Sequence, residues 1–293
     1  MSWVLFSTLA ALIWAVVNIV EKYILTKWVK EPIVPVIILG TVGLLTSFLI
    51  YLFHGFAKLS FFNIGLSFIA GIFYILAIAF YFKAVKIEEI SRVVPLFYLT
   101  PLFILVFAWI FLEEIFTPIK YLGIFLLVAG AIFISSRNFI KLSFGKAFWF
   151  MVFASLILSL NAVITKYLLN FADFWTIFSY TRIGAALGLI PVFFTFPGII
   201  SALRKYRKKV IGTMFLNESL NTGSVLLITI ATAVGPVTLV NALSSIQLLF
   251  VLLFSVILSI FYPEILKEEV RKLTILLKLL AIILMIAGAI LIT

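Results

Sequence analysis

The chain reads as an all-α, polytopic membrane protein whose ten transmembrane helices form two inverted five-helix repeats. Three observations predict this. Of the 293 residues, 65% are hydrophobic and 11% are charged, against roughly half and roughly a quarter in soluble domains. The apolar residues fall into ten runs, each long enough to cross about 30 Å of hydrocarbon as a helix. Short motifs of the first half return in the second, in the same order. The absence of cysteine excludes a disulfide framework, a thiolate metal site and a cysteine nucleophile. A single histidine, His54, cannot form a zinc or haem site alone and is expected to be an interfacial side chain.

The first run, 2–25, is too long for a secretory signal peptide and lacks its basic start. It ends at the polar connection Thr26 to Pro32, behind which the second, 33–54, begins. The third, 62–83, follows Lys58 and stops at Lys83 and Lys86. The fourth, 92–112, carries Pro95 and Pro101 with Tyr98 and Thr100 between them. Proline frees carbonyls and bends a helix, so Pro101 is expected to mark a hinge beside a cavity. The fifth, 118–136, lies between Glu113-Glu114 and Arg137, and the sixth, 147–169, follows Lys146. The seventh and eighth, 174–197 and 210–234, are separated by the basic run 204–209. The ninth, 237–262, starts after Pro236, and the tenth, 273–292, follows Lys272.

Repetition divides the chain into 1–136, a connecting loop 137–146, and 147–293. Glu21-Lys22-Tyr23-Ile24-Leu25 lies 144 residues before Thr165-Lys166-Tyr167-Leu168-Leu169. Val128 to Ser135 returns as Ile286 to Thr293, and Glu113-Glu114 as Glu268-Glu269. An odd number of helices per half makes the second half enter the membrane from the opposite face. The halves then relate by a pseudo-two-fold axis in the membrane plane, the geometry of a secondary transporter with its site near the midplane. No phosphate-loop motif accompanies it, so transport would be driven by gradients rather than ATP.

Odd-numbered loops hold most of the Lys and Arg, while even-numbered loops carry only Lys58 and Lys120. That bias puts the odd loops in the cytoplasm and both termini outside. Loop charges beside anionic lipid explain the net charge of +11 without nucleic acid.

Charges at membrane depth cost at least about 2.5–3.5 kcal/mol on insertion scales, so each is a candidate for function or pairing. Arg182 and Glu218 each lie about eight residues inside antiparallel helices, at levels roughly 6 Å apart. They are expected to pair, either as a gate or coupling-ion site or as a static buried ion pair. Asn217, Asn221 and Ser224 share a face of the eighth helix, with Glu218 at its margin. Trp14, Asn18 and Lys22 share a face of the first helix, Asn161 and Thr165 one of the sixth. The ninth contributes Asn241, Ser244, Ser245 and Gln247. Together these side chains predict an internal polar cavity, although each alone could serve interhelical hydrogen bonding. Lys22 and Lys166 could attract an anionic group, and Glu21 could carry a proton but is expected at the interface. Gly130 and Gly288 are expected to permit close helix packing. No acids, histidine and nucleophiles cluster as a catalytic centre, so the chain does not read as an enzyme and calls for no cofactor.

Pro-Leu-Phe-Tyr-Leu-Thr-Pro-Leu-Phe (95–103), Phe111-Leu112-Glu113-Glu114, Gly123 and Ala129-Gly130, with Ala242 to Phe250 in the second half, resemble the EamA-type drug/metabolite transporter superfamily. The resemblance implies alternating access and a central cavity lined chiefly by helices one, three, four, six, eight and nine. The family's substrates range from amino acids to drugs and sugar-nucleotides, so the resemblance does not name this one. The chain as a whole reads as a multi-pass secondary transporter of a small organic metabolite across the cytoplasmic membrane, an exporter of an amino acid or similar solute, with membrane lipids as the other partner. Proton coupling through Glu218 is the expected drive. A non-transporting scaffold or receptor, or a translocator of a lipid-like substrate, is the alternative. Two features depart from the resemblance: its members keep both termini in the cytoplasm, and Arg182 lies outside the usual lining helices.

Overall fold

The computed structural model describes residues 2–88, 90–135, 145–195, 206–244, 246–262 and 272–292. Residues 137–144, Arg204, Lys205, Ser245 and Glu268-Glu269 lie outside the described residues, as does the side chain of Tyr98. The described chain is helical and without strands. Its elements are α1 (Ser2–Lys27), α2 (Ile33–His54), α3 (Phe61–Ile87), α4 (Ile90–Val93), a 3-10 stretch (Val94–Leu99), α5 (Thr100–Leu112) and α6 (Pro118–Ser135). The second half follows with α7 (Lys146–Leu168), α8 (Phe174–Leu187), α9 (Ile190–Thr195), α10 (Lys208–Val234), α11 (Val237–Ser244), α12 (Gln247–Phe261) and α13 (Lys272–Ile292).

Among the described residues six stretches are long and apolar enough to span a bilayer: Trp3–Lys27, Ile33–His54, Phe61–Ile87, Val94–Leu112, Lys146–Leu168 and Val237–Phe261. Pro118–Gly130 and Leu279–Gly288 are shorter apolar helices. α10 has the length, 27 residues, but its run of Asn, Glu, Thr and Ser dilutes its apolar character. The outer surface presents Phe61, Phe125, Trp149 and Ile290, all exposed, as a surface solvated by lipid does.

Three segments are interrupted where one helix was expected. α8 stops at Leu187 because Pro191 has no N–H to give the Leu187 carbonyl, and α9 restarts beyond a turn. The fourth segment breaks into α4, the 3-10 stretch and α5, as its two prolines dictate. The ninth breaks at the matching register without any proline: Gln247 opens α12 as Thr100, 147 residues earlier, opens α5.

The helices pack as two antiparallel pairs. α1 lies along α10, with Trp3 against Gly235 at one end and Tyr206 donating to Glu31 at 2.6 Å near the other. α3 lies along α7, with Phe80 near the end of α3 beside Phe150 and Phe153 near the start of α7. α8 packs on α3 and α2, α2 also on α10, α12 on α1, and α5 on α7. Shifting every segment by five exchanges these partnerships: first–eighth answers sixth–third, second–eighth answers seventh–third, and first–ninth answers sixth–fourth. α6 and α13 pair at the side, where a Cβ on Gly130 would lie 2.9 Å from the Ala281 carbonyl and one on Gly288 would lie 2.6 Å from the Gly123 carbonyl.

Candidate functional site

Between the α1–α10 pair and the α3–α7 pair lies a cavity of about 170 Å³. Trp14, Asn18 and Glu21 reach it from α1, because spacings of four and three residues put them on one helical face. Tyr74, Ile78 and Tyr81 face them from α3 by the same rule. The 3-10 stretch and the start of α5 bring in Phe97, Thr100 and Pro101, and the α11–α12 break brings in Ser244 and Gln247 beside Asn241. From the remaining helices come Asn161 and Thr165 of α7, Thr181 and Arg182 of α8, and Asn221, Val225, Thr229 and Thr232 of α10.

At one end of the cavity the polar groups form a connected network. The buried Glu21 carboxylate accepts from the Tyr81 hydroxyl at 2.6 Å and from the Asn18 amide at 3.3 Å. The same amide nitrogen lies 2.8 Å from the Tyr81 oxygen, and the Gln247 amide donates to the Asn18 carbonyl oxygen. Near mid-cavity the Trp14 indole N–H donates to Asn221 at 2.9 Å, and the Asn221 amide donates to Glu218 at 3.0 Å. Asn161 donates to the Ala70 carbonyl at 2.9 Å, and Asn241 to that of Val237, also at 2.9 Å. Buried polar atoms are normally paired. Here the Thr100 hydroxyl, the Asn217 amide nitrogen and the Arg182 Nε and Nη1 have no hydrogen-bond partner.

Arg182 and Glu218 do not pair as the sequence predicts. The guanidinium lies 3.9 Å above the Tyr74 ring and 5.3 Å from that of Phe178, a cation–π arrangement. The reason is the α3–α8 crossing: a Cβ on Gly184 would lie 2.5 Å from Phe68 Cα, so only glycine lets the helices meet there. That close approach puts Arg182 on α3 before it can reach α10. Glu218 turns to Asn221 instead, and neither Glu218 nor Asn217 lines the cavity.

Lys22 also stands apart from the cavity. Its ammonium donates to the Val85 and Glu88 carbonyls at 3.0 and 2.8 Å. Lys166 does the same to Thr232 and Gly235, at 2.8 and 2.9 Å. Both lysines satisfy carbonyls that a helix end leaves without intrahelical donors, so neither offers the cavity a cation. Glu21, expected at the interface, is instead the acid of the cavity wall. Its spacing to Asn18 and Trp14 was the available signal; Tyr74, Tyr81 and Phe97 sat in apolar runs that carried none. Glu114 has a structural task, accepting from the Val237 N–H at 3.1 Å and the Thr238 hydroxyl at 3.0 Å at the start of α11. Among the described residues no cluster of His, Asp or Glu could hold a metal ion.

Residues 1–136 match the model of the EamA-like transporter family. No protein of curated function matches the chain. Among solved structures, one titled only "Crystal structure of protein" superposes with a TM-score of 0.66 at 16% identity, covering 100% of this chain and 96% of that one. At that identity the likeness speaks for the fold alone. The apolar helices and the family match together make this an integral, multi-pass membrane protein. The first 136 residues thus match the EamA-like transporters, a family of the drug/metabolite transporter superfamily.

Proposed function

We propose that the protein is a secondary active transporter of a small organic metabolite, an exporter of an amino acid or similar solute, working by alternating access. The observation that carries this reading is the cavity between the two antiparallel helix pairs, lined from both halves of the chain by amides, hydroxyls, aromatic rings, one carboxylate and one guanidinium. Interior polar groups of this kind are costly in a membrane protein unless they meet a solute, an ion or one another. Residues 1–136 and 147–293 act as two five-helix repeats of inverted topology, ten membrane helices in all. The exchange of packing partners under a five-segment shift supports that arrangement. Proton coupling runs through a buried acid, Glu21 or Glu218. The Lys and Arg bias supports an orientation with the end of α1 in the cytoplasm.

The test is thermal stabilisation of the purified protein by a panel of amino acids, sugar phosphates, nucleotide sugars and lipophilic cations, followed by solute counterflow in proteoliposomes. A ligand at about 100 times its dissociation constant should add about 2.7 kcal/mol. Trp14→Ala and Asn221→Ala should weaken the response to whichever solute stabilises. Stabilisation by lipid alone would favour a lipid-like substrate, and no stabilisation with no counterflow would favour a scaffold.

A further inference from the structure

We propose that Lys22 and Lys166 are matched latches that close the cavity at its two opposite ends, each holding the two helix pairs together across it. The proposal extends the transporter reading, because it assigns the contacts that must break when the cavity opens to either side.

Each lysine bridges the pairs. Lys22 belongs to α1 and grips the end of α3; Lys166 belongs to α7 and grips the end of α10. α1 packs with α10 and α3 with α7, so both bonds cross from one pair to the other. The positions correspond throughout: Lys166 follows Lys22 by 144 residues, and Thr232 and Gly235 follow Val85 and Glu88 by 147. The ends are opposite, because Gly235 lies against Trp3 at the start of α1 while Lys22 lies toward its finish. A lysine near a helix end ordinarily extends toward headgroups. Here the charge is directed to carbonyls at another helix's negative end, a contact favoured by both hydrogen bonding and the helix dipole.

The latches differ in the ties that accompany them. Lys86 of α3 reaches back to the Leu25 and Val29 carbonyls at 3.3 and 2.9 Å, so the end marked by Lys22 is tied in both directions. The matching position in the second half is Ala233, which has no donor to return. At the Lys166 end the further tie comes instead from Glu114, which accepts from the Val237 N–H and the Thr238 hydroxyl beside Gly235.

The cysteine-free chain allows a direct test. Ile78 and Val225 both line the cavity and correspond at 147 residues. Ile78→Cys and Val225→Cys are labelled with a membrane-impermeant thiol reagent in intact cells and in inside-out vesicles. Lys22→Met should raise labelling by about tenfold or more from the face where α1 ends and leave the other face unchanged, the direction expected from losing two charge-assisted hydrogen bonds. Lys166→Met should do the reverse, and Lys→Arg at either position should stay near the parent rate. If Lys22→Met does not fold, Lys86→Met opens the same end and must raise labelling from the same face. Increases from the same face for both lysines, or none for either, would overturn the latches. Face-specific increases in a protein that binds and exchanges no solute would keep the latches and remove the transporter reading. Solute exchange with unchanged labelling would remove the latches alone.

Discussion

Arg182 holds its guanidinium 3.9 Å above the Tyr74 ring and forms no ion pair with Glu218. The guanidinium, buried within the α3–α8 crossing, is stabilised by an aromatic face and not by a carboxylate. A double-mutant cycle in chemical denaturation measures this. Arg182→Met and Tyr74→Leu should couple by about 1–2 kcal/mol, in the range of desolvated cation–π contacts. Arg182→Met and Glu218→Gln should couple less; a larger Glu218 coupling would return the charge pair to the centre of the account.

Gly184 tests the crossing that places Arg182. A methyl group there would lie 2.5 Å from Phe68 Cα and from its carbonyl oxygen. Backbone cannot yield as a side-chain tip can, so Gly184→Ala should cost about 1–3 kcal/mol and lower the melting temperature. Gly212, on α10, has open space at its Cβ, so Gly212→Ala should be neutral or stabilising by up to about 1 kcal/mol.

Acidification should weaken the start of α8 through Asp173. Partial burial works to raise its pKa, but hydrogen bonds from the Thr176 hydroxyl and the N–H groups of Thr176 and Trp175, with His54 nearby, hold it below the usual value. A depressed carboxyl contributes stability above its unfolded pKa and loses it as pH falls through the folded value. Melting temperatures of the parent should therefore fall on acidification through the carboxylate range. Asp173→Asn should flatten that slope, and Asp173→Ala should cost about 1 kcal/mol at neutral pH as a lost N-cap.

The two buried acids have different surroundings and should behave differently. Glu21 lines the cavity, whereas Glu218 lies behind Asn221. Net solute transport driven by an imposed pH gradient should lose its pH dependence in Glu21→Gln and retain it in Glu218→Gln. The opposite result would place coupling on α10.

Membrane residence and the helical character of the chain were legible because they follow from local composition and period: apolar runs must be about 20 residues to cross hydrocarbon. The polar stripes of α1, α7 and α10 were legible for the same reason, since helical spacing alone puts Trp14 with Asn18 and Asn217 with Asn221 on one face. Tertiary structure decided which neighbour each stripe meets. Spacing along one helix gives depth but no direction around the bundle, so Arg182 and Glu218 could share a level and still point to different partners. The same gap hid the roles of Lys22 and Lys166, whose acceptors lie 63 to 69 residues away on other helices. It also hid Glu21, which reads as interfacial in one dimension and becomes a cavity acid only when α3 brings Tyr81 against it. Composition sets the solvent and the elements, while the crossing at Gly184 and the pairing of α1 with α10 and α3 with α7 select which polar groups face one another.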